Sequence, residues 1–189
     1  MTKFHVFLPA LAAVTLLPLP AAASRVVLGT SSARLCYQAA ERTGQPGSDA
    51  LISCDDALTG EGLLTKDEVV ATHVNRGIVR MRRGDLNGAI ADYETARALD
   101  PNEPEVDLNH GTALLRREQA ANALELFTRA IDKNTRRPAL AYYGRAIANE
   151  ALGNVRQAYF DYRRASEIDP NWSDPQRELR RFRIQGTRS

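Results

Sequence analysis

The sequence predicts an all-α fold: a solenoid of antiparallel helix pairs closed by a C-terminal capping helix. Three observations carry this. Small and aromatic residues recur at a spacing of 34 and then 35 residues through the middle of the chain. Gly84, Gly153, Pro101 and Pro170 fall where that spacing needs helices to stop. The composition, 43% hydrophobic and 25% charged with a formal net charge of +2, is that of an ordinary globular chain. It excludes a multi-pass membrane protein, a collagen-like or disordered polymer and a cysteine-rich miniprotein. The charge is too near zero to draw nucleic acid by bulk attraction, so no nucleic-acid partner is expected.

Residues 1–23 read as a secretory signal peptide. Lys3 supplies the positive start, Val6 to Leu17 an apolar run, and Ala21-Ala22-Ala23 the small residues of a cleavage site. The run is shorter than the roughly 20 apolar residues that cross a bilayer. No Cys follows the small residues, so a lipoprotein anchor is not expected. Against an uncleaved anchor we expect cleavage near Ala23, export to the periplasm or beyond, and no stable membrane span afterwards. The periplasmic assignment takes the source to be Gram-negative, from the leader and the arginine-rich composition.

Residues 24–69 follow as an N-terminal helical hairpin. Cys36 and Cys54 are the only cysteines, and an even pair in an exported protein reads as a disulfide. They stand on two short helical stretches separated by Gly44, Pro46 and Gly47. An antiparallel hairpin brings the two sulfurs together. The absence of CxxC spacing and of a nearby His argues against a redox or metal role.

The repeats come next, at 70–103, 104–138 and 139–172. Gly77, Ala89, Tyr93 and Ala96 recur as Gly111, Ala123, Phe127 and Ala130, then as Ala146, Ala158, Tyr162 and Ala165. The inserted residue belongs to the loop that runs from Asp132 to Leu140, where length costs little. Within each unit the small residues let two helices cross closely, and the large aromatic fills the space between units. Gly84 and Gly153 suit left-handed helix ends. Asp85 and Asn154 suit the starts that follow, and Pro101 and Pro170 forbid continuation. The last segment, 173–189, reads as a capping helix over Ser173 to Gln185 and a tail. Leu179 and Phe182 would face the last repeat, and Arg177, Arg180, Arg181 and Arg183 the solvent.

The stretches Asn75–Pro101 and Gly144–Pro170 resemble the tetratricopeptide repeat (TPR) family. The resemblance spans about 70–172. The middle unit departs from the pattern at Glu118, where the turn Gly is expected, and at Thr135, where the closing Pro is expected. The early aromatic is kept only as Tyr142, being His73 and Asp107 in the other units. Ala50, Cys54 and Ala57 repeat the spacing of Ala89, Tyr93 and Ala96, so the cysteine hairpin resembles a degenerate repeat.

The resemblance implies a right-handed superhelix whose first helices line a concave groove that binds protein or peptide segments. The residues it places there are Val74, Asn75, Ile78 and Met81, with Arg82 at the rim. The second unit adds Leu108, Asn109, Thr112 and Leu115, with Arg116. The third adds Leu140, Tyr143, Gly144 and Ile147. Asn75 and Asn109 hold equivalent slots, and an amide that donates and accepts suits an extended main chain. Gly144 leaves the third rung empty. Some family members clamp the C-terminal carboxylate of heat-shock chaperones with Lys, Arg and Asn. Here Val74, Ile78, Leu140 and Gly144 stand in four of those five slots, so that activity is not expected.

Nothing points to catalysis: GxSxG, P-loop, GxGxxG and HExxH patterns are all missing, and no cofactor or metal is expected. Arg83-Gly84-Asp85 is a turn, and Asn171-Trp172-Ser173 a chance sequon. His73 and His110 read as surface or packing residues. Asp55-Asp56 and Asp67-Glu68 read as helix-end carboxylates. Residues 136–189 carry 11 Arg against 6 acids, whereas 24–135 carry 13 basic and 17 acidic residues. The expected function is therefore an exported, non-catalytic scaffold that binds a partner segment in its groove. The alternatives are a self-associating envelope component and a binder of anionic envelope polymer through the arginine-rich end.

Overall fold

The computed structural model describes residues 31–60 and 64–182, and the expected signal peptide lies outside them. The described helices are α1 (Ser31–Glu41), α2 (Ser48–Thr59), α3 (Lys66–Arg82), α4 (Leu86–Leu99), α5 (Pro104–Arg116), α6 (Ala120–Asp132), α7 (Pro138–Ala151), α8 (Val155–Ile168) and α9 (Ser173–Leu179). Each packs mainly on its sequence neighbours. α3, α5 and α7 form an inner row, and α4, α6 and α8 an outer one. Among the described residues no helix is long and apolar enough to cross a membrane.

The helix ends follow the local chemistry. Gly84 and Gly153 have φ of +89° and +78° and stop α3 and α7. Glu118 adopts φ +60° at the corresponding place after α5. The middle unit thus makes the same left-handed turn without glycine. Asp85 caps α4 by accepting from the Gly88 N–H. Asn154 makes no such cap on α8; its amide nitrogen donates to Asn149 Oδ1. α3 begins earlier than the repeat period suggests, because Thr65 and Glu68 form a capping box at its start.

The small residues have the partners their spacing predicts. A Cβ on Gly77 would lie 2.4 Å from the Tyr93 ring of its own unit. Tyr93, Phe127 and Tyr162 are fully buried, as are Ala89, Ala123 and Ala158. Thr135, at the closing-proline position, is also buried, and its hydroxyl donates to Glu105 Oε1 at 2.8 Å. That bond ties the loop before α7 to the start of α5.

Cys36 and Cys54 are joined in a disulfide and neither is exposed. The bond links α1 to α2 where the other units use an aromatic ring. At the far end α9 stops at Leu179, shorter than expected. Phe182 still packs on the core, with its ring 5.7 Å from Tyr159 and 5.9 Å from Tyr162. Arg181 is not simply solvated: it bonds Glu150 at 2.5 Å and also pairs with Glu178.

Candidate functional site

The inner row is the candidate site, and its geometry follows from the repeat. Val74, Ile78 and Met81 stand on one side of α3, Leu108, Thr112 and Leu115 on the matching side of α5, and Tyr143 and Ile147 on α7. All of these are buried, as are Asn75 and Asn109. The side chains of the strip are therefore buried, which the sequence pattern alone does not indicate. The Asn109 amide donates to the Glu105 carbonyl one turn back at 2.8 Å. Thr112 does the same to Leu108 at 2.9 Å.

The missing third rung has a steric cause. A Cβ on Gly144 would lie 2.4 Å from Phe127 Cζ, so the ring from the preceding unit takes the space of an amide side chain. Tyr143 beside it stacks between Tyr162 and Trp172, with ring centroids 5.5 and 4.7 Å away. Burial pushes its phenol pKa up, and nearby Glu178 and Asp174 add to the shift.

Arg82 and Arg116, expected at the rim, act on backbone. Arg82 donates to the carbonyls of Ala39, Ala40 and Gly44 at the end of α1 and just beyond. Arg116 donates to the Met81 carbonyl at the end of α3. Each arginine thus satisfies terminal carbonyls of the first helix of the preceding pair and meets the negative end of its dipole. Burial lowers the pKa of both guanidinium groups. For Arg116, Tyr93 opposes this and Arg82 adds to it.

The strip reaches solvent at its α7 end. Leu140 lines a cleft of about 600 Å³ with Arg136, Arg137, Pro138, Ile168 and Trp172. Arg137 reaches from this corner to Glu41 at the end of α1, 3.4 Å away. Both partners are substantially exposed, so the bridge adds little stability.

A second set of polar residues, not recognised in the sequence, braces the inner row from behind. Asp92 is buried and accepts from Arg76 at 2.7 Å and Arg80 at 2.8 Å, with His73 Nδ1 at 3.1 Å. Burial alone would raise the Asp92 carboxyl pKa. The His73 and Arg76 hydrogen bonds and the two guanidinium charges outweigh it and hold the pKa below the usual value. Asp161 pairs with Arg145 at 2.7 Å in the same way and takes a further bond from Asn149. Arg76 and Arg145 hold one repeat position, and Asp92 and Asp161 another, so the same period contained the signal. The middle unit has His110 and Leu126 there instead. His110 packs beside Tyr93 and accepts from Arg97 through Nδ1. Burial, with Arg97 and Arg129 nearby, lowers its pKa to about 4.

Elsewhere the arginine-rich end is partly self-neutralised. Arg163 and Arg164 meet Glu167, and Arg177 meets Asp174. No group of acids, His and Cys among the described residues could hold a metal ion.

Stacked helix pairs with a repeating inner face define a helical-repeat solenoid. Residues 70–103 match the tetratricopeptide repeat family model. Among solved structures, the chain is similar to the first TPR of Spaghetti (RPAP3) bound to the HSP90 peptide SRMEEVD. The identity is 28%, the TM-score is 0.57, and 60% of this chain and 89% of that one are covered. The second TPR domain of human RPAP3, in complex with an HSP70 peptide, gives 22%, a TM-score of 0.57, and coverage of 61% and 96%. MamA from Desulfovibrio magneticus RS-1 gives 21%, a TM-score of 0.62, and coverage of 79% and 82%. No curated protein matches the chain. Residues 70–103 are thus a tetratricopeptide repeat, and the fold of the chain is that of a TPR solenoid.

Proposed function

We propose that the protein is an exported, non-catalytic scaffold that recognises an extended segment of a protein partner along α3, α5 and α7. The observation that carries this is the alignment of aliphatic side chains at one repeat position after another, with the Asn75 and Asn109 amides in register between them. The structural likeness to a TPR that holds an HSP90 peptide supports the mode of binding. It does not extend to the ligand. Val74, Ile78, Leu140 and Gly144 provide no cation where a chaperone carboxylate would sit, so an aliphatic, uncharged segment fits better than an acidic terminus.

Export rests on the sequence of residues 1–23, and the buried disulfide accords with an oxidising compartment. The internal pairing of Arg163, Arg164, Arg177 and Arg181 leaves less free positive charge for an anionic polymer than the sequence suggests, which favours the groove. The test is a pulldown from envelope extract with the wild type and with Asn75→Ala/Asn109→Ala. Loss of an identified partner from the double variant supports the groove. A partner retained equally by both excludes it.

A further inference from the structure

Among the described residues, Leu35, Ile52, Leu152 and Phe160 are the large apolar side chains left exposed. Two of them share a repeat position. Aligning Ala50, Cys54 and Ala57 of α2 with Ala158, Tyr162 and Ala165 of α8 sets Ile52 and Phe160 at the same place. The aligned residues are buried in both helices. Ile52 and Phe160 fall on the opposite side of each helix, on its outward ridge. In α4 and α6 that place is held by Ala91 and Glu125. The second helices of the first and last pairs thus each carry an apolar knob that those between them lack.

The charges around the two knobs are opposite. α2 contains no basic residue, and its Asp49, Asp55 and Asp56 are all exposed, one turn before and one turn after Ile52. Asp55 is held by Arg76 at 2.7 Å. Asp49 and Asp56 have no ion pair among the described residues. On α8, Arg156 lies one turn before Phe160, and Arg163 and Arg164 one turn after, all exposed. Glu167 meets Arg163 at 3.4 Å and Arg164 at 3.5 Å, with all three side chains more than half exposed. Such pairs are worth little, so a new partner shares these arginines at small cost. The guanidinium groups of Arg156 and Arg163 lie over the Phe160 ring, 5.7 and 5.2 Å from its centroid. These contacts hold the cations beside the knob before anything docks, which lowers the ordering cost of binding.

We propose that the α2 ridge of one molecule docks on the α8 ridge of a second copy, so that the protein associates head to tail. Laid ridge on ridge, Ile52 meets Phe160. The flanking acids then meet arginines about 5 Å along the axis, whichever way the two helices run. Like ridges do not pair, because α2 on α2 sets Asp against Asp and α8 on α8 sets Arg against Arg. The contact is therefore heterologous, and each pair of molecules keeps one open ridge at either end from which it can grow. Two helices of 12 and 14 residues place the contact below the roughly 1,200 Å² of a standard interface. Association is accordingly weak and depends on concentration. The contact uses none of the inner-row residues, so it stands apart from the groove reading. An assembly would present that groove once per copy, which suits a partner with several binding segments.

The test is sedimentation velocity on the full chain as recovered after export, from about 10 μM to about 1 mM. The wild-type mass should rise with concentration, and the rise should weaken as salt goes from about 0.05 to about 0.5 M. A mass that stays constant, or a rise indifferent to salt, overturns the proposal. This arm needs no variant. In the second arm Ile52→Arg/Asp56→Arg blocks the α2 ridge, and Phe160→Ala/Arg163→Ala/Arg164→Ala blocks the α8 ridge. All five positions are exposed, and circular dichroism and melting curves check that both variants keep the fold. Each variant alone should associate at least about tenfold more weakly than wild type. Mixed in equal amounts, they should form dimers and nothing larger, because each supplies the ridge the other lacks. A mixture no heavier than its components, or a variant that associates as the wild type does, overturns the proposal. Neither arm needs a foreign partner, so a failure here leaves the pulldown result standing, and a failed pulldown leaves these masses to be read.

Discussion

Gly144→Ala tests whether the Phe127 ring sets the distance between the second and third units. The new Cβ would lie 2.4 Å from Phe127 Cζ, 2.5 Å from Cε1 and 2.9 Å from Cε2. Carbon atoms in contact sit about 3.5 Å apart. The ring has little room to withdraw, because it is fully buried and a Cβ on Gly111 behind it would already lie 3.2 Å away. Overpacking a core in this way costs about 1–3 kcal/mol, and three short contacts place this case at the upper end. Alanine's better helix propensity returns about 1 kcal/mol. The net loss is then about 2 kcal/mol, or a fall in melting temperature of roughly 4–8 °C for a chain of this size. Gly111→Ala meets the same ring at 3.2 Å. A shift of a few tenths of an ångström relieves it, so the two terms offset and stability stays within about 1 kcal/mol of wild type. The assay is urea unfolding followed by circular dichroism, with the disulfide intact. Phe127→Leu combined with Gly144→Ala should recover about 1 kcal/mol of coupling. If Gly144→Ala is as benign as Gly111→Ala, the ring is not the spacer.

Four further outcomes follow from the same geometry. Tyr93→Phe should stabilise by about 1 kcal/mol in denaturant titration, because the buried Tyr93 hydroxyl has no hydrogen-bond partner among the described residues. Asp92→Asn should cost about 3 kcal/mol at neutral pH by leaving Arg76 and Arg80 without their buried counter-charge. Because the native Asp92 pKa is depressed, its stabilisation is present above the unfolded value of about 4 and is lost as pH falls through the lower folded one. Wild type should therefore lose stability below about pH 4 more steeply than the variant, in unfolding titrations at stepped pH. The His110 ring, with its pKa lowered to about 4, should remain neutral in proton NMR down to pH 5. It destabilises the fold as pH drops from its unfolded value of about 6.5, an effect that His110→Gln should remove. Reduction, or Cys36→Ser, should lower stability by about 3 kcal/mol if the closed loop alone is counted, with melting curves in and out of reductant as the check.

The period of small and aromatic residues made the solenoid legible, because those residues pack on each other: Gly77 meets Tyr93, and Gly111 meets Phe127. The disulfide was legible because only two cysteines exist. The start of α3 was less so, since a Thr65–Glu68 capping box outweighed a period that begins later. The site was harder. Arg82 and Arg116 carry the same signature whether they meet a ligand or a helix end, and only the neighbouring backbone distinguishes the two. The burial of Leu108 and Thr112 depends on what lies over them, which no local pattern encodes. The Arg76–Asp92 and Arg145–Asp161 pairs were within reach, because the 34- and 35-residue shifts that relate the alanines also relate the charges.

The arginine contacts give the array a direction. The carbonyls at the end of α1 are satisfied by a side chain from α3, and a carbonyl at the end of α3 by one from α5. Ala151, at the corresponding place in α7, offers nothing to α5. Each of the early units is thus completed by the unit after it. Deleting modules from the carboxyl side would unfinish those that remain, whereas deleting them from the amino side would only leave an arginine idle. Nested truncations compared by melting curve should show that asymmetry, and equal losses from both ends would mean that the contacts do not set an order.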